Sequence, residues 1–160
     1  MKSIVIYETR SGNTRQIAEV IAGVLASRGA VDLLPTEEGP AAFPEDTDLI
    51  VVGGPTEGRG MTRPMASFLD RLAPRALNAV PAAAFDTRLR LPRLLTGSAA
   101  LGIARRLRAA GATLIVPEES FKVSRAPLLQ KGELERAEAW AKLLADAIET
   151  HMPAAGAASR

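Results

Sequence analysis

A short polar run near the start of the chain has the composition of a phosphate-binding turn. Thr9-Arg10-Ser11-Gly12-Asn13-Thr14 lies between an apolar stretch, Ile4-Val5-Ile6, and a segment with helical periodicity. At a strand-to-helix turn, hydroxyl, glycine and asparagine residues leave several backbone N–H groups pointing outward, and the helix N-terminus adds partial positive charge. The run therefore predicts a site for a phosphate group.

Unusual residues also follow two other predicted strands. Gly53-Gly54-Pro55-Thr56-Glu57-Gly58-Arg59-Gly60-Met61 comes after the apolar run at 49–52, and Asp86-Thr87-Arg88-Leu89-Arg90 comes after a strand predicted at 80–85. The loops expected at the opposite ends of the strands are plain by comparison. Ligands of open parallel α/β sheets bind beyond the carboxyl ends of the strands, so this one-sided distribution predicts a site at that edge.

Alternating strand and helix patterns position these segments. Strands are predicted at 4–7, 30–34, 49–52, 80–85 and 113–116, and the last is expected to continue at 121–123 after Pro117. Helical spacing of apolar residues predicts helices at 17–25, 64–72, 98–110 and 134–148. Such alternation predicts a doubly wound α/β sandwich of three layers around a five-stranded parallel sheet.

The composition fits one domain and excludes several site chemistries. The chain has 160 residues, 47% of them hydrophobic, and we expect one domain at 1–150 and a flexible tail at 151–160. It has no cysteine, which excludes thiolate nucleophiles, disulfides and thiolate metal sites, and no metal site is predicted. A net charge of +2 is too small to imply nucleic acid. Without a leader or a long apolar run, we expect a cytoplasmic protein with no membrane span.

The motifs resemble those of flavodoxins, which bind flavin mononucleotide (FMN). The resemblance covers residues 2–148 and rests on three features: a loop similar to the family's Thr/Ser-x-Thr-Gly-x-Thr, Gly-Gly-Pro-Thr after the third strand, and the five-strand alternation. It implies the strand order 2-1-3-4-5, FMN as cofactor, and redox proteins as partners. It also implies that hydroxyls of Thr9, Ser11 and Thr14 bind the phosphate, while the N–H groups of Arg10, Gly12 and Asn13 close around it.

The same resemblance implies two segments around the isoalloxazine ring of the flavin. One side would be flanked by Pro55, Thr56, Glu57, Gly58, Arg59, Gly60 and Met61, and the other side or the polar edge by Asp86, Thr87 and Arg88. Flavodoxins usually place aromatic rings here, whereas neither segment contains Trp or Tyr. We expect Met61 or an arginine to cover the ring instead, with FMN binding weaker by roughly ten- to a hundredfold.

Arginines surround the expected site, at positions 10, 59, 63, 88, 90 and 93. They form either a solvated rim or a mouth that attracts an acidic partner, an anionic substrate or a dinucleotide. In the second interpretation, their charge would stabilise reduced, anionic flavin and raise the reduction potential above that of acidic flavodoxins. A further open question is whether Glu8, just before the loop, is structural or adjusts phosphate affinity.

Three functions are compatible with these features. The favoured one is an electron carrier that binds FMN and has no catalytic residue of its own. The second is a small FMN-dependent oxidoreductase, because the loop also resembles Thr-Arg-x-Gly-x-Thr of menaquinone-dependent protoporphyrinogen dehydrogenases. The third is a flavodoxin-fold module with weak or lost flavin binding that acts through protein contacts. Receiver domains, phosphatases with a cysteine nucleophile, and nucleotide-binding proteins with glycine-rich fingerprints are excluded, because their motifs are missing.

Overall fold

Strands and helices alternate along residues 1–151, the part of the chain that the computed structural model describes. The strands are β1 (Lys2–Tyr7), β2 (Ala30–Pro35), β3 (Leu49–Glu57), β4 (Gly60–Met61), β5 (Pro81–Leu89), β6 (Thr113–Leu114) and β7 (Glu119–Val123). The helices are α1 (Asn13–Ala26), α2 (Arg63–Asp70), α3 (Arg93–Thr96), α4 (Ala99–Ala109) and α5 (Glu133–His151), with a 3₁₀ turn at Thr36–Glu38. Of the tail predicted at 151–160, His151 instead ends α5, and the rest lies outside the described residues.

The sheet has the predicted parallel order. Its path is β2-β1-β3-β5-β6, and β7 also pairs with β5. Together, β6 and β7 occupy the fifth position: β6 pairs with Pro81 and Ala82, and β7 pairs with the last five residues of β5. The interruption contains Pro117, which has no N–H to donate to a neighbouring strand. The order 2-1-3-4-5 is therefore confirmed, with the fifth strand in two pieces.

Each face of the sheet is covered by helices and forms its own hydrophobic core. Side chains alternate along β1, so Val5 faces α1 and α5, whereas Ile4 and Ile6 face α2 and α4. On the first face, the rings of Phe85, Phe121 and Trp140 pack edge to face, with centroids 6.1–6.2 Å apart. The result is the expected three-layer sandwich, which fixes the carboxyl ends of the parallel strands at one edge.

Two strands run further than predicted. We expected the third strand to end at Val52 and the fourth at Phe85, but β3 reaches Glu57 and β5 reaches Leu89. Their polar ends pair with each other, with Gly54 opposite Asp86 and Pro55 opposite Thr87, so these segments are strands and not loops. The short strand β4, which was not predicted, returns along β3 through Gly58-Arg59.

A tight two-residue turn, Gly58-Arg59, connects β3 to β4. Gly58 and Arg59 both have positive φ, at 52° and 74°. Two central residues with positive φ define the tight hairpin turn whose twist matches that of the flanking strands. Beyond β4, the hydroxyl of Thr62 caps α2 by accepting a hydrogen bond from the N–H of Met65. The hairpin therefore lies at the same edge of the sheet as the loop after β1.

Candidate functional site

The loop between β1 and α1 presents unpaired backbone N–H groups. Gly12 has φ of 85°, and its N–H donates to Oγ1 of Thr9 at 3.0 Å, which curls the loop. Within residues 1–151, no acceptor is found for the N–H groups of Arg10, Ser11, Asn13, Thr14 and Arg15. The first turn of α1 also has no acidic side chain that would compete with an anion. This arrangement matches the physical requirements of a phosphate site.

Two side chains of the loop hold it in place. The Asn13 side chain donates from Nδ2 to the carbonyl of Pro127 at 2.6 Å, and Oγ1 of Thr14 lies 2.8 Å from Oγ1 of Thr87. Both Asn13 and Thr14 are almost fully buried, whereas Ser11 is exposed. The hydroxyl of Thr14 is free to donate to a phosphate only when Thr87 is the donor of the bond between them.

A cavity of about 190 Å³ opens beside the loop. Its walls bring together three groups of residues: the loop, the ends of β3 and β5, and the segment after β7. They are Arg10, Ser11, Asn13, Pro55, Thr56, Glu57, Thr87, Arg88, Leu89, Val123, Ser124, Arg125 and Pro127. The last four and Leu89 were not predicted as site residues. The parallel pairing of β7 with β5 places the segment after β7 at this edge.

A second cavity of about 300 Å³ adjoins the first and has an apolar wall. It shares Thr56, Arg88 and Leu89 with the first cavity and adds Gly58, Arg59, Leu91, Leu95 and Thr96. The hairpin and the segment before α4 are in contact across it, because Arg59 bridges to Gly97 and donates from Nη2 to the carbonyl of Leu94 at 2.8 Å. Leucines, and not aromatic rings, line this cavity.

Outside the loop between β1 and α1, three of the predicted site residues line neither cavity. Asp86 is fully buried, and its Oδ2 accepts hydrogen bonds from Oγ of Ser98 at 2.6 Å, from Oγ1 of Thr56 at 3.0 Å and from the N–H of Ala100 at 3.0 Å. Asp86 thus ties the start of α4 to β3. Met61 packs into the core beside α4, and Gly60 pairs with Glu57 in the hairpin. The structure does not place these three side chains or backbone positions on the cavity walls.

Arg88 is a buried cation without an ionic partner. It is 8% exposed, and its Nη1 donates to the carbonyl of Leu91 at 2.7 Å and to Oγ1 of Thr96 at 3.2 Å. In the described part of the chain, no carboxylate lies within salt-bridge distance, and its buried Nε has no acceptor. Burial lowers the pKa of this guanidinium. A buried charge is costly unless it is paired, so Arg88 favours an anionic group in the adjoining cavities.

Glu8 is a second buried charged side chain close to the loop. Its carboxylate accepts a hydrogen bond from Oγ1 of Thr62 at 3.0 Å, and burial raises its pKa above the ordinary value of 4.5. Because Thr62 caps α2, this contact gives Glu8 a structural role. Its influence on phosphate affinity stays a prediction.

Other site chemistries find no support in residues 1–151. This part of the chain holds no group of three or more histidine or acidic side chains placed to bind a metal ion. None of its helices is long and apolar enough to cross a membrane.

A family model described as "Flavodoxin domain" matches residues 4–92, more than half of the chain. The chain belongs to the flavodoxin family. The match includes the loop after β1, the hairpin and three of the four arginines that line the two cavities, Arg10, Arg59 and Arg88. No curated protein sequence matches this flavodoxin-family chain significantly.

Solved structures agree with this family. A flavodoxin from the domain Archaea is 25% identical, with a TM-score of 0.73 over 93% of this chain and 99% of that one. Flavodoxin 1 from Bacillus cereus is 21% identical, with a TM-score of 0.75 over 96% of this chain and 100% of that one. A rubredoxin:oxygen oxidoreductase from Desulfovibrio gigas is 17% identical, with a TM-score of 0.72 over 93% of this chain but only 36% of that one. The flavodoxin-like fold is thereby established.

Proposed function

We propose that this flavodoxin-family protein binds FMN and carries electrons between redox proteins. The observation that carries the proposal is the set of unpaired N–H groups in the loop at 9–14 and the first turn of α1. The loop follows β1 at the carboxyl edge of the sheet, where parallel α/β sheets bind ligands. When bound, FMN supplies one-electron chemistry that no amino acid side chain lining the two cavities provides.

The residues of the loop fit a phosphate group. Each hydrogen bond from a backbone N–H to a charged oxygen contributes about 1.5–3 kcal/mol, so a few such bonds account for strong phosphate binding. Gly12 permits the left-handed turn that leaves these groups without an internal acceptor, and the hydrogen bond to Thr9 holds that turn. The exposed hydroxyl of Ser11 is available as a further donor.

The adjoining cavity has the polarity expected beside a flavin ring. Its volume of about 300 Å³ is at the lower end for small-molecule sites, and Leu89, Leu91 and Leu95 supply apolar contact. Arg59 and Arg88 supply positive charge beside these leucines. That charge stabilises negative charge on the reduced flavin, so we expect a reduction potential higher than in acidic flavodoxins.

A carrier of this kind needs no acid or base from the protein. The residues of the cleft bind and orient the cofactor, exclude water with leucines, and set its potential with arginines. The cytoplasmic location expected from the sequence stays a prediction. The alternative is an FMN-dependent oxidoreductase. Oxidation of reduced pyridine nucleotide by a quinone, catalysed by this protein without a separate reductase, would favour it over the carrier.

One observation favours the module that has lost flavin binding. The contact between Arg59 and Gly97 joins the two segments that would flank the ring, so ring binding requires them to separate. Flavin fluorescence quenching during titration with FMN decides between this module and the two functions that require bound flavin. We expect quenching with a dissociation constant in the micromolar range or below, and its loss in Gly12→Val. The matched control is Gly23→Ala on α1, and a wild-type protein that leaves FMN fluorescence unchanged would refute the proposal.

A further inference from the structure

Exposed leucines stand beside the cleft on the segment that contains α3. Leu94 is 81% exposed, Leu95 64% and Leu91 43%. Single exposed leucines are ordinary, but three within five residues concentrate apolar surface on one short segment, and two of them, Leu91 and Leu95, line the cavity proposed for the flavin ring. The patch is held in place because Arg59 binds the carbonyl of Leu94 and bridges to Gly97. Such a rigid patch has the character of an interaction surface.

Unpaired arginines surround this patch. Arg59 lines a cavity with Leu91 and Leu95, and Arg90 and Arg125 line a further cavity of about 260 Å³ with Leu91. None of these three guanidinium groups has a carboxylate within 4.0 Å among residues 1–151.

The acids at this edge do not neutralise the arginines. Glu57 is paired with Arg10 at 3.1 Å, and Asp86 is fully buried beneath the surface. The apolar patch is therefore ringed by positive charge that is free to attract an anionic surface.

We propose that Leu91, Leu94 and Leu95, with Arg59, Arg90 and Arg125, form a docking surface for an acidic redox protein. This leucine–arginine surface rests on the proposed function, since its purpose is to bring a partner's redox centre close to the flavin cavity. An apolar centre with a charged rim is the usual anatomy of a protein interface, and arginine is enriched there. Complementary charge selects the partner and accelerates encounter.

Other occupants fit less well. A second copy of the chain would bring like-charged arginines together around the leucines, which disfavours self-association. A single-stranded nucleic acid is usually bound in part by stacking on aromatic side chains, and the six residues of this surface include none. The charge and the apolar centre together favour an acidic protein that presents an apolar contact area.

Electron transfer to proteins of opposite charge tests the docking surface. Photoreduced, FMN-loaded protein is mixed in a stopped-flow instrument with acidic plastocyanin, which accepts one electron at Cu(II), or with a basic c-type cytochrome, which accepts one electron at Fe(III). We expect the rate with plastocyanin to fall about tenfold between low and high salt, and the rate with the cytochrome to stay flat or rise. The opposite salt dependence would overturn the proposal.

Variants locate the surface. Leu94→Ser and Arg90→Gln are each expected to slow electron transfer to plastocyanin by about three- to tenfold, while FMN affinity stays unchanged because neither residue lines the two cavities proposed for FMN. The matched controls are Leu143→Ser on α5, which is also exposed, and Arg108→Gln in the last turn of α4, and both are expected to keep the wild-type rate. Equal rates in all four would overturn the docking surface but leave FMN binding intact.

A second measurement does not depend on flavin. Redox-inactive, zinc-substituted plastocyanin is titrated into the ¹⁵N-labelled protein, with and without FMN. Chemical-shift changes at 89–97 and 124–128 are expected, and they are expected to disappear in Leu94→Ser. Changes centred elsewhere, no changes at all, or cosedimentation with anionic lipid vesicles in place of protein binding would each overturn the assignment. Failure of FMN binding alone would refute the carrier function and leave this result standing.

Discussion

The buried hydroxyl pair between α1 and β5 allows a quantitative test of how the phosphate loop is held. Thr14 is 1% exposed and Thr87 is 4% exposed, and their Oγ1 atoms are 2.8 Å apart. Replacing one threonine by valine keeps the shape but leaves the other hydroxyl buried without its partner. A buried polar group without a partner costs about 1–3 kcal/mol. We therefore expect Thr14→Val and Thr87→Val each to lower the free energy of unfolding by about 2 kcal/mol.

The double variant should behave differently from the sum of the single variants. With both hydroxyls replaced by methyl groups, no unsatisfied group remains, and the expected loss is below about 1 kcal/mol. The coupling energy in the double-mutant cycle is then about 3 kcal/mol, at the upper end for contacting residues. Urea unfolding of the flavin-free proteins measures it, since about 2 kcal/mol moves the midpoint by about 1 M for a domain of this size. Additive losses in the double variant would refute the reasoning.

FMN affinity of the same variants tests the role of the Thr14 hydroxyl. If Thr87 donates within the pair, Thr14 retains its proton for the phosphate, and Thr14→Val should weaken FMN binding about tenfold more than Thr87→Val does. Fluorescence titration measures both dissociation constants. Equal effects of the two changes would show that Thr14 acts only through the position of the loop.

Three further changes test the local structure. The Cβ of Gly12→Ala would meet no neighbouring atom, but the residue would keep φ of 85°, so its free energy of unfolding in urea should fall by about 1 kcal/mol. Gly23→Ala in the middle of α1 should instead raise the free energy of unfolding by about 0.5–1 kcal/mol. Gly53→Ala would place its Cβ 2.1 Å from the ring of Phe85, and a loss of about 1–3 kcal/mol or more is expected in the same assay. Because burial raises the pKa of Glu8 above 4.5, the unfolding free energy should fall as pH rises from about 4.5 through its folded pKa, and Glu8→Gln should remove that slope in unfolding measured across pH.

Local periodicity was sufficient to predict the order of the longer strands and helices, whereas the short elements β4 and α3 were not predicted. The apolar run in β1, the helical spacing in α1 and the glycine at position 12 all depend on neighbours in sequence, so the loop and its position at the sheet edge were predictable. The prediction that the residues of that loop contact phosphate has not been tested.

Contacts between residues far apart in the chain determine the features that the sequence did not predict. The polar ends of β3 and β5 were predicted as loops, because their local sequence has no strand pattern. Their pairing is stabilised by Asp86, which accepts a hydrogen bond from Thr56, 30 positions away in the chain. The contribution of Arg125 and Pro127 depends on where β7 pairs with β5. The exposure of Leu94 and Leu95 likewise depends on the contact between the hairpin and α3.

Comparative titration with FMN and riboflavin is the most direct test of phosphate recognition by the loop. The two ligands share the same ring and side chain, and riboflavin lacks only the phosphate group. Quenching of flavin fluorescence on binding gives the dissociation constant of each ligand. If the unpaired N–H groups of the loop anchor the cofactor, riboflavin should bind at least about a hundredfold more weakly than FMN. Equal affinities for the two ligands, or no binding of FMN, would contradict the account.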